Sequence, residues 1–242
     1  MKKRIPVLIV LLLIIAGVVI YLVTRSGESI YVGTIEATKV DISPRVGSMI
    51  EKVFVDEGYK VEKDSPLFKL SCEDLRLKKD ILDSDYERAR KLFASGTIPR
   101  ESYEHIKAEF DDVTLKLGWC DVKSPLAATV LNRYREPGET VNVGTKVFTL
   151  ADLNTVWAYV YVEQSLMSRL RIGEKVAGVL PEQNMKILEG TITHINDEAE
   201  FTPKNVQTRE ERTRLVYGIK ITFDNKEGIL KPGMPIEIEF GK

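Results

Sequence analysis

The sequence predicts a mainly β protein with an antiparallel coiled-coil α-hairpin inserted into a small split β-sandwich, followed by an antiparallel β-barrel and preceded by a transmembrane helix. Three observations carry this prediction. Short apolar runs broken by Gly and Pro recur in two similar blocks. Between those blocks, apolar residues repeat at alternating spacings of three and four. Near the N-terminus, Ile5–Val23 forms one unbroken uncharged stretch.

That stretch, "IPVLIVLLLIIAGVVIYLV", is close to the roughly 20 apolar residues a helix needs to cross a hydrocarbon core. Lys2, Lys3 and Arg4 precede it and would hold the N-terminus in the cytoplasm. A cleaved signal peptide is the alternative. However, the run exceeds the usual apolar region of such peptides, and no A-x-A-like site follows it. Either way the rest of the chain is expected outside the cytoplasm, where a disulfide persists. The expected location is the inner membrane, single-pass, with the bulk of the chain periplasmic.

The two blocks are "SPRVGSMIEKVFVDEGYKVEKDSPLFKL" (Ser43–Leu70) and "SPLAATVLNRYREPGETVNVGTKVFTL" (Ser124–Leu150). With one single-residue gap, Pro44 matches Pro125, Gly58 matches Gly138, Val61 matches Val141, Phe68 matches Phe148 and Leu70 matches Leu150. Each block reads as strand, acidic-Gly turn, short strand, turn and strand. Neither is large enough to bury a core alone, so the two are expected to form one sandwich.

Between them, Cys72, Leu75, Lys79, Leu82, Tyr86, Ala89 and Phe93 trace a heptad seam in which only Lys79 is charged. Tyr103, Ile106, Phe110, Val113, Leu117 and Cys120 trace a second. Ser71 with Asp74 offers a capping box to the first helix. "SGTIP" (Ser95–Pro99) offers a C-terminal Gly, a turn and a Pro for the start of the second helix. In an antiparallel hairpin centred on Gly96, Leu75 faces Leu117, Leu82 faces Phe110, Tyr86 faces Ile106, Ala89 faces Tyr103 and Cys72 faces Cys120. The facing cysteines suggest a disulfide at the hairpin's base, with a packed pair of reduced thiols as the alternative.

After Leu150, "VWAYVYV", "EKVAGVL", "LEGTITHIN", "LVYGIKITF" and "PIEIEF" alternate in strand fashion around one short helical insert, "EQSLMSRL". This pattern predicts an antiparallel barrel. "IYVGTIEA" (Ile30–Ala37) has no place in the repeat and is expected to complete that barrel.

The 35 basic and 36 acidic residues nearly cancel, which leaves no electrostatic footprint for a nucleic-acid partner. The two histidines, His105 and His194, lack metal-ligand spacing. No P-loop, G-x-S-x-G, G-x-G-x-x-G or H-E-x-x-H motif occurs. Neither catalytic nor metal-binding residues are expected, and the chain is not expected to be an enzyme.

The order of anchor, half-sandwich, coiled-coil hairpin, half-sandwich and barrel resembles the membrane fusion proteins, or periplasmic adaptors, of the HlyD type. "SPLAATV…EPGETVNVGTKVFTLADL" (Ser124–Leu153) looks like the second half of that family's biotinyl-lipoyl-like domain. "AEFTPKNVQTREERTRLVYGIKI" (Ala199–Ile221) and "LKPGMPIEIEF" (Leu230–Phe240) look like the barrel of adaptors paired with ABC-type exporters. The resemblance implies a tip motif that engages outer-membrane channels of the TolC type. Here it falls on Arg88, Leu92 and Pro99, with Pro where Ser is usual; Ser95, Gly96 and Ile98 complete the tip. An arm of about 23 residues per helix reaches only roughly 35 Å, shorter than in many relatives. Lipoyl-bearing domains carry their modified lysine on a tight turn that the hairpin replaces here, so no cofactor is expected.

The resemblance therefore implies an adaptor linking an inner-membrane transporter of the ABC type to an outer-envelope channel, and assembling as a homo-oligomeric ring. A structural or regulatory envelope protein on the same scaffold is the alternative. The expected boundaries are 1–25 for the cytoplasmic tip and anchor, 26–40 for a linker and barrel strand, 41–71 and 121–152 for the half-sandwiches, 72–120 for the hairpin and 153–242 for the barrel.

Overall fold

The computed structural model describes residues 30–201 and 215–240. The expected anchor, Ile5–Val23, lies outside the described residues. Among those described, no helix is long and apolar enough to cross a membrane. The chain divides into two compact units. One comprises residues 37–156 and 225–229; the other holds residues 30–36, 157–224 and 230 onward.

The second of these units is a barrel built from β1 (Ile30–Glu36), β10 (Thr155–Glu163), β11 (Lys175–Leu180), β12 (Lys186–Ile195), β14 (Leu215–Asp224) and β15 (Pro235–Glu239). Its strand order is β10-β1-β15-β11-β12-β14, and a β14–β10 pairing closes the ring. A two-residue strand, β13 (Glu200–Phe201), adds to β14. β1 lies between β10 and β15, so the strand with no place in the repeat completes the barrel. Closure leaves no open edge among the six strands. The alternation in β10 places Ala158, Val160 and Val162 inside, each fully buried. Gly178 and Gly190 make room for Phe223: a Cβ at either would stand 2.7 or 2.5 Å from its ring.

The other unit holds the sandwich. The first block, together with the strand just before it, supplies β2 (Lys39–Ile42), β3 (Ser48–Val53), β4 (Lys60–Val61) and β5 (Pro66–Leu70). The second, again with the short strand just before it, supplies β6 (Asp121–Lys123), β7 (Ala128–Arg133), β8 (Thr140–Val141) and β9 (Phe148–Ala151). The sheets run β2-β9-β7-β4 and β6-β5-β3-β8. Exchanging the blocks turns one order into the other, so each sheet is completed by strands of the other block. The same exchange relates the turn bonds. Gly58 N–H donates to Val130 O at 2.9 Å, and Gly138 N–H donates to Ile50 O at 2.8 Å. Both glycines sit in the left-handed region, at φ 82 and φ 90 degrees, where the absence of a Cβ removes the steric cost. Ile50, Leu67, Phe68, Leu70, Val130, Phe148 and Leu150 form one core shared by the blocks.

Candidate partner-binding site

The hairpin joins β5 to β6. Its first helix, α1 (Glu73–Ala94), has 22 residues, and its second, α2 (Arg100–Gly118), has 19. At the helical rise per residue the arm extends about 30 Å. Its base is welded to the sandwich core. Cys72 and Cys120 form a disulfide with Cα atoms 6.4 Å apart, and both are buried among the sandwich residues. Arg76 at the foot of α1 meets Glu51 on β3 at 3.5 Å, and Lys69 meets the same carboxylate at 3.1 Å. Lys69 hydrogen-bonding holds the Glu51 carboxyl below its ordinary value.

The N-terminus of α1 corrects the capping-box expectation. Cys72, at positive φ, is the N-cap, and no side chain caps the helix. Ser71 is still held by the sheet: its N–H donates to Met49 O at 2.9 Å. Its hydroxyl instead lies 3.1 Å from that of Ser48, which also accepts the Cys72 N–H. With the N-cap place taken by Cys72 and its own hydroxyl on Ser48, Ser71 stands one residue too early to cap the helix.

Along the arm, Leu82, Ala89 and Val113 are buried, while Leu75, Tyr86, Tyr103, Ile106, Phe110 and Leu117 are partly buried. The aromatic rings contact one turn to either side of their facing positions. Tyr86 stacks on Phe110 at 5.0 Å and on Tyr103 at 6.0 Å, and Phe93 stacks on Tyr103 at 4.8 Å. These separations lie in the range where ring pairs attract beyond their buried area. Tyr86 and Tyr103 hydroxyls meet at 3.4 Å; this bond, then burial, raises the Tyr103 pKa. The one charged seam residue has a specific partner. Lys79 Nζ lies 5.4 Å from the Phe110 ring centre. Its stem therefore packs in the seam while its charge faces the ring and water. Sequence periodicity marked Lys79 only as a break.

At the tip, Gly96 N–H donates to Phe93 O and Thr97 N–H to Leu92 O, at 2.9 and 2.8 Å. Gly96 is at positive φ, φ 72 degrees. Together these make a Schellman stop. Ser95 Oγ donates to Leu92 O at 2.9 Å and lies 2.8 Å from Thr97 Oγ1. Pro99 is the N-cap of α2. Arg88 and Leu92 stand one turn apart on one face of α1. Arg88 is exposed and within 3.2 Å of Asp85, and Leu92 is 37% exposed. Ser95, Gly96 and Pro99 are exposed and Ile98 is half-buried. The tip thus offers a fixed loop, a cation and an apolar side chain outward.

At the foot of α2, Arg45 lies over the Trp119 ring at 5.8 Å, and a groove of about 410 Å³ opens beside it between β2, β6 and the helix end. Asp41 on its wall pairs with Lys146 at 2.7 Å and accepts from Thr149 Oγ1 at 2.6 Å. Those two bonds hold the Asp41 carboxyl below its ordinary value. Nothing in the local pattern of the sequence marked this groove, because its walls come from separate segments. Among the described residues, no group of three His, Cys, Asp or Glu side chains could hold a metal ion.

Residues 38–152 match the family model of the CzcB-like barrel-sandwich hybrid domain, and residues 155–242 match that of the CusB-like beta-barrel domain. Similar solved structures show the same fold. A MacA–MexA chimera containing the Pseudomonas aeruginosa MexA α-hairpin has a TM-score of 0.70 at 19% identity, with 86% of this chain and 78% of that one covered. The membrane fusion protein Spr0693 of Streptococcus pneumoniae R6 gives 0.67 at 16% identity, covering 88% and 98%. MacA from Actinobacillus actinomycetemcomitans gives 0.57 at 19% identity, covering 88% and 78%. With two family models spanning sandwich, hairpin and barrel in this order, the chain belongs to the membrane fusion protein, or periplasmic adaptor, family.

Proposed function

We propose that the protein is a non-enzymatic periplasmic adaptor of an export system. It is held in the inner membrane by Ile5–Val23 and couples an ABC-type transporter to an outer-envelope channel of the TolC type. The observation that carries this reading is the hairpin: a stiff, disulfide-braced arm presenting Arg88 and Leu92 outward near its tip. Such an arm suits contact between proteins, because its base is rigid and its outward chemistry is gathered at the tip. The sandwiches pack side by side into a homo-oligomeric ring, and the barrel sits on the transporter.

In-cell photocrosslinking from positions 88, 92 and 98 on the tip and 187 on the barrel tests the reading. Capture of a channel from the tip and of an ABC permease from the barrel is the expected outcome. Capture of neither, from a chain present at normal levels in the envelope, favours a structural or regulatory envelope protein on the same scaffold.

A further inference from the structure

We infer that the barrel touches the bilayer directly, through an apolar rim at the end where β1 begins. Ile30 opens β1 and pairs with Glu239, the last residue of β15. Ala177 on β11 pairs with the same Glu239, so the turn before β11, which carries Ile172, projects beyond that end. Within this turn Gly173 N–H donates to Ile192 O at 2.8 Å, fixing it against β12. Further along β12, Ile195 pairs with Ile219, and β14 runs from there back to Leu215, which pairs with Phe201. Separate segments therefore bring Ile30, Ile172 and the Phe201–Leu215 pair to one end of the barrel. Their exposures are 53%, 67%, 69% and 51%. At the same end Tyr31 and Phe240 meet edge to face at 5.4 Å.

Exposure alone does not choose the occupant, since Ile187 towards the other end is 69% exposed. The tether does. Only residues 24–29 separate the anchor from Ile30. So short a segment spans at most about 20 Å even when fully extended. Ile30 is thereby held within reach of the headgroup layer. Apolar side chains spread around a rim match a plane rather than a groove, and shallow insertion of such side chains is how proteins rest on bilayers. Just before Ile172, Arg169 is exposed and can meet lipid phosphates, whereas Arg171 turns its guanidinium onto the Ser168 and Leu170 carbonyls; Glu174 and Glu200 offset their charge. Attachment is therefore apolar and independent of anionic lipid. This inference rests on the anchored reading above.

The test uses the full chain reconstituted through its anchor into phosphatidylcholine vesicles that contain headgroup-proximal spin-labelled lipid. Ile172→Cys, Phe201→Cys and Ile187→Cys carry an environment-sensitive fluorophore; the native cysteines are bonded. Quenching at 172 and 201 is expected to exceed that at 187 by roughly threefold or more. Equal quenching at all three positions overturns the inference. So does quenching or burial at 172 and 201 that arises only when a transporter is co-reconstituted, which would make the rim a protein interface. A chain that stays with the vesicles without rim quenching loses this inference and keeps the adaptor reading. A chain that leaves the vesicles loses the anchor, and the rim contact with it.

Discussion

Phe68 and Phe148 occupy matching positions in the two sequence blocks and pack against each other with ring centres 6.0 Å apart, both fully buried. The exchange that relates the blocks brings equivalent residues together at the centre of the sandwich. Each ring fills space that its own block cannot enclose.

Phe148→Ala should therefore cost about 3–5 kcal/mol, the usual range for a buried aromatic truncation. The chain has two tryptophans, Trp119 and Trp157, one in each unit. Urea unfolding followed in Trp119→Phe and Trp157→Phe backgrounds should show the loss in the sandwich transition and little change in the barrel.

Thiol titration of unfolded, unreduced protein should find no free thiol. The Cys72–Cys120 bond joins positions at a sequence separation of 48. On the chain-entropy model a loop of that size contributes about 4 kcal/mol. The Cys72→Ser, Cys120→Ser double variant should lose up to that amount in the same urea experiment. Two free thiols in periplasmic material would show the arm to be unbraced.

Asp64 and Gly144 fill the same place in the two repeats, at φ 66 and φ 81 degrees. Left-handed backbone strains most side chains but suits Gly, and Asp better than most. Gly144→Ala is expected to cost about 1–2 kcal/mol. Gly144→Asp should cost less, and comparison of their urea midpoints checks the order.

The Lys79–Phe110 contact is expected to show a coupling of about 0.5–1 kcal/mol in a double-mutant cycle using Lys79→Met and Phe110→Leu. A coupling of zero would make Lys79 an ordinary solvated residue.

Asp41 adds an acid-sensitive contribution. Its carboxyl is depressed in the folded state, first by the Lys146 bond and then by Thr149. Stability from this group is present above its unfolded pKa and lost as pH falls through the lower folded value. The midpoint difference between wild type and Asp41→Asn should therefore persist from neutral pH down to the ordinary carboxylate range, then shrink below it. A difference unchanged at the lowest pH would place the effect elsewhere.

Local periodicity by itself determined much of this protein. The blocks announced a sandwich, the three-four spacing announced two helices of one hairpin, and the equidistance of Cys72 and Cys120 from Gly96 brought them to its base. The strand alternation and the helical spacing behind them repeat within a few residues, so neighbouring residues alone set them. Tertiary structure decided the rest. β1 is placed between β10 and β15 by barrel closure, which joins opposite ends of the sequence and leaves no local mark. Ser71 reads as a cap from its neighbours, yet Cys72 takes the N-cap place and the Ser71 hydroxyl lies on Ser48 of β3. Lys79 reads as a flaw in the seam until Phe110 arrives from the other helix. Nothing in the sequence marks Ile30, Ile172, Phe201 and Leu215 as neighbours, and strand register gathers them at one rim. Burial and pairing between distant segments are properties of the closed fold, so only the fold displays them.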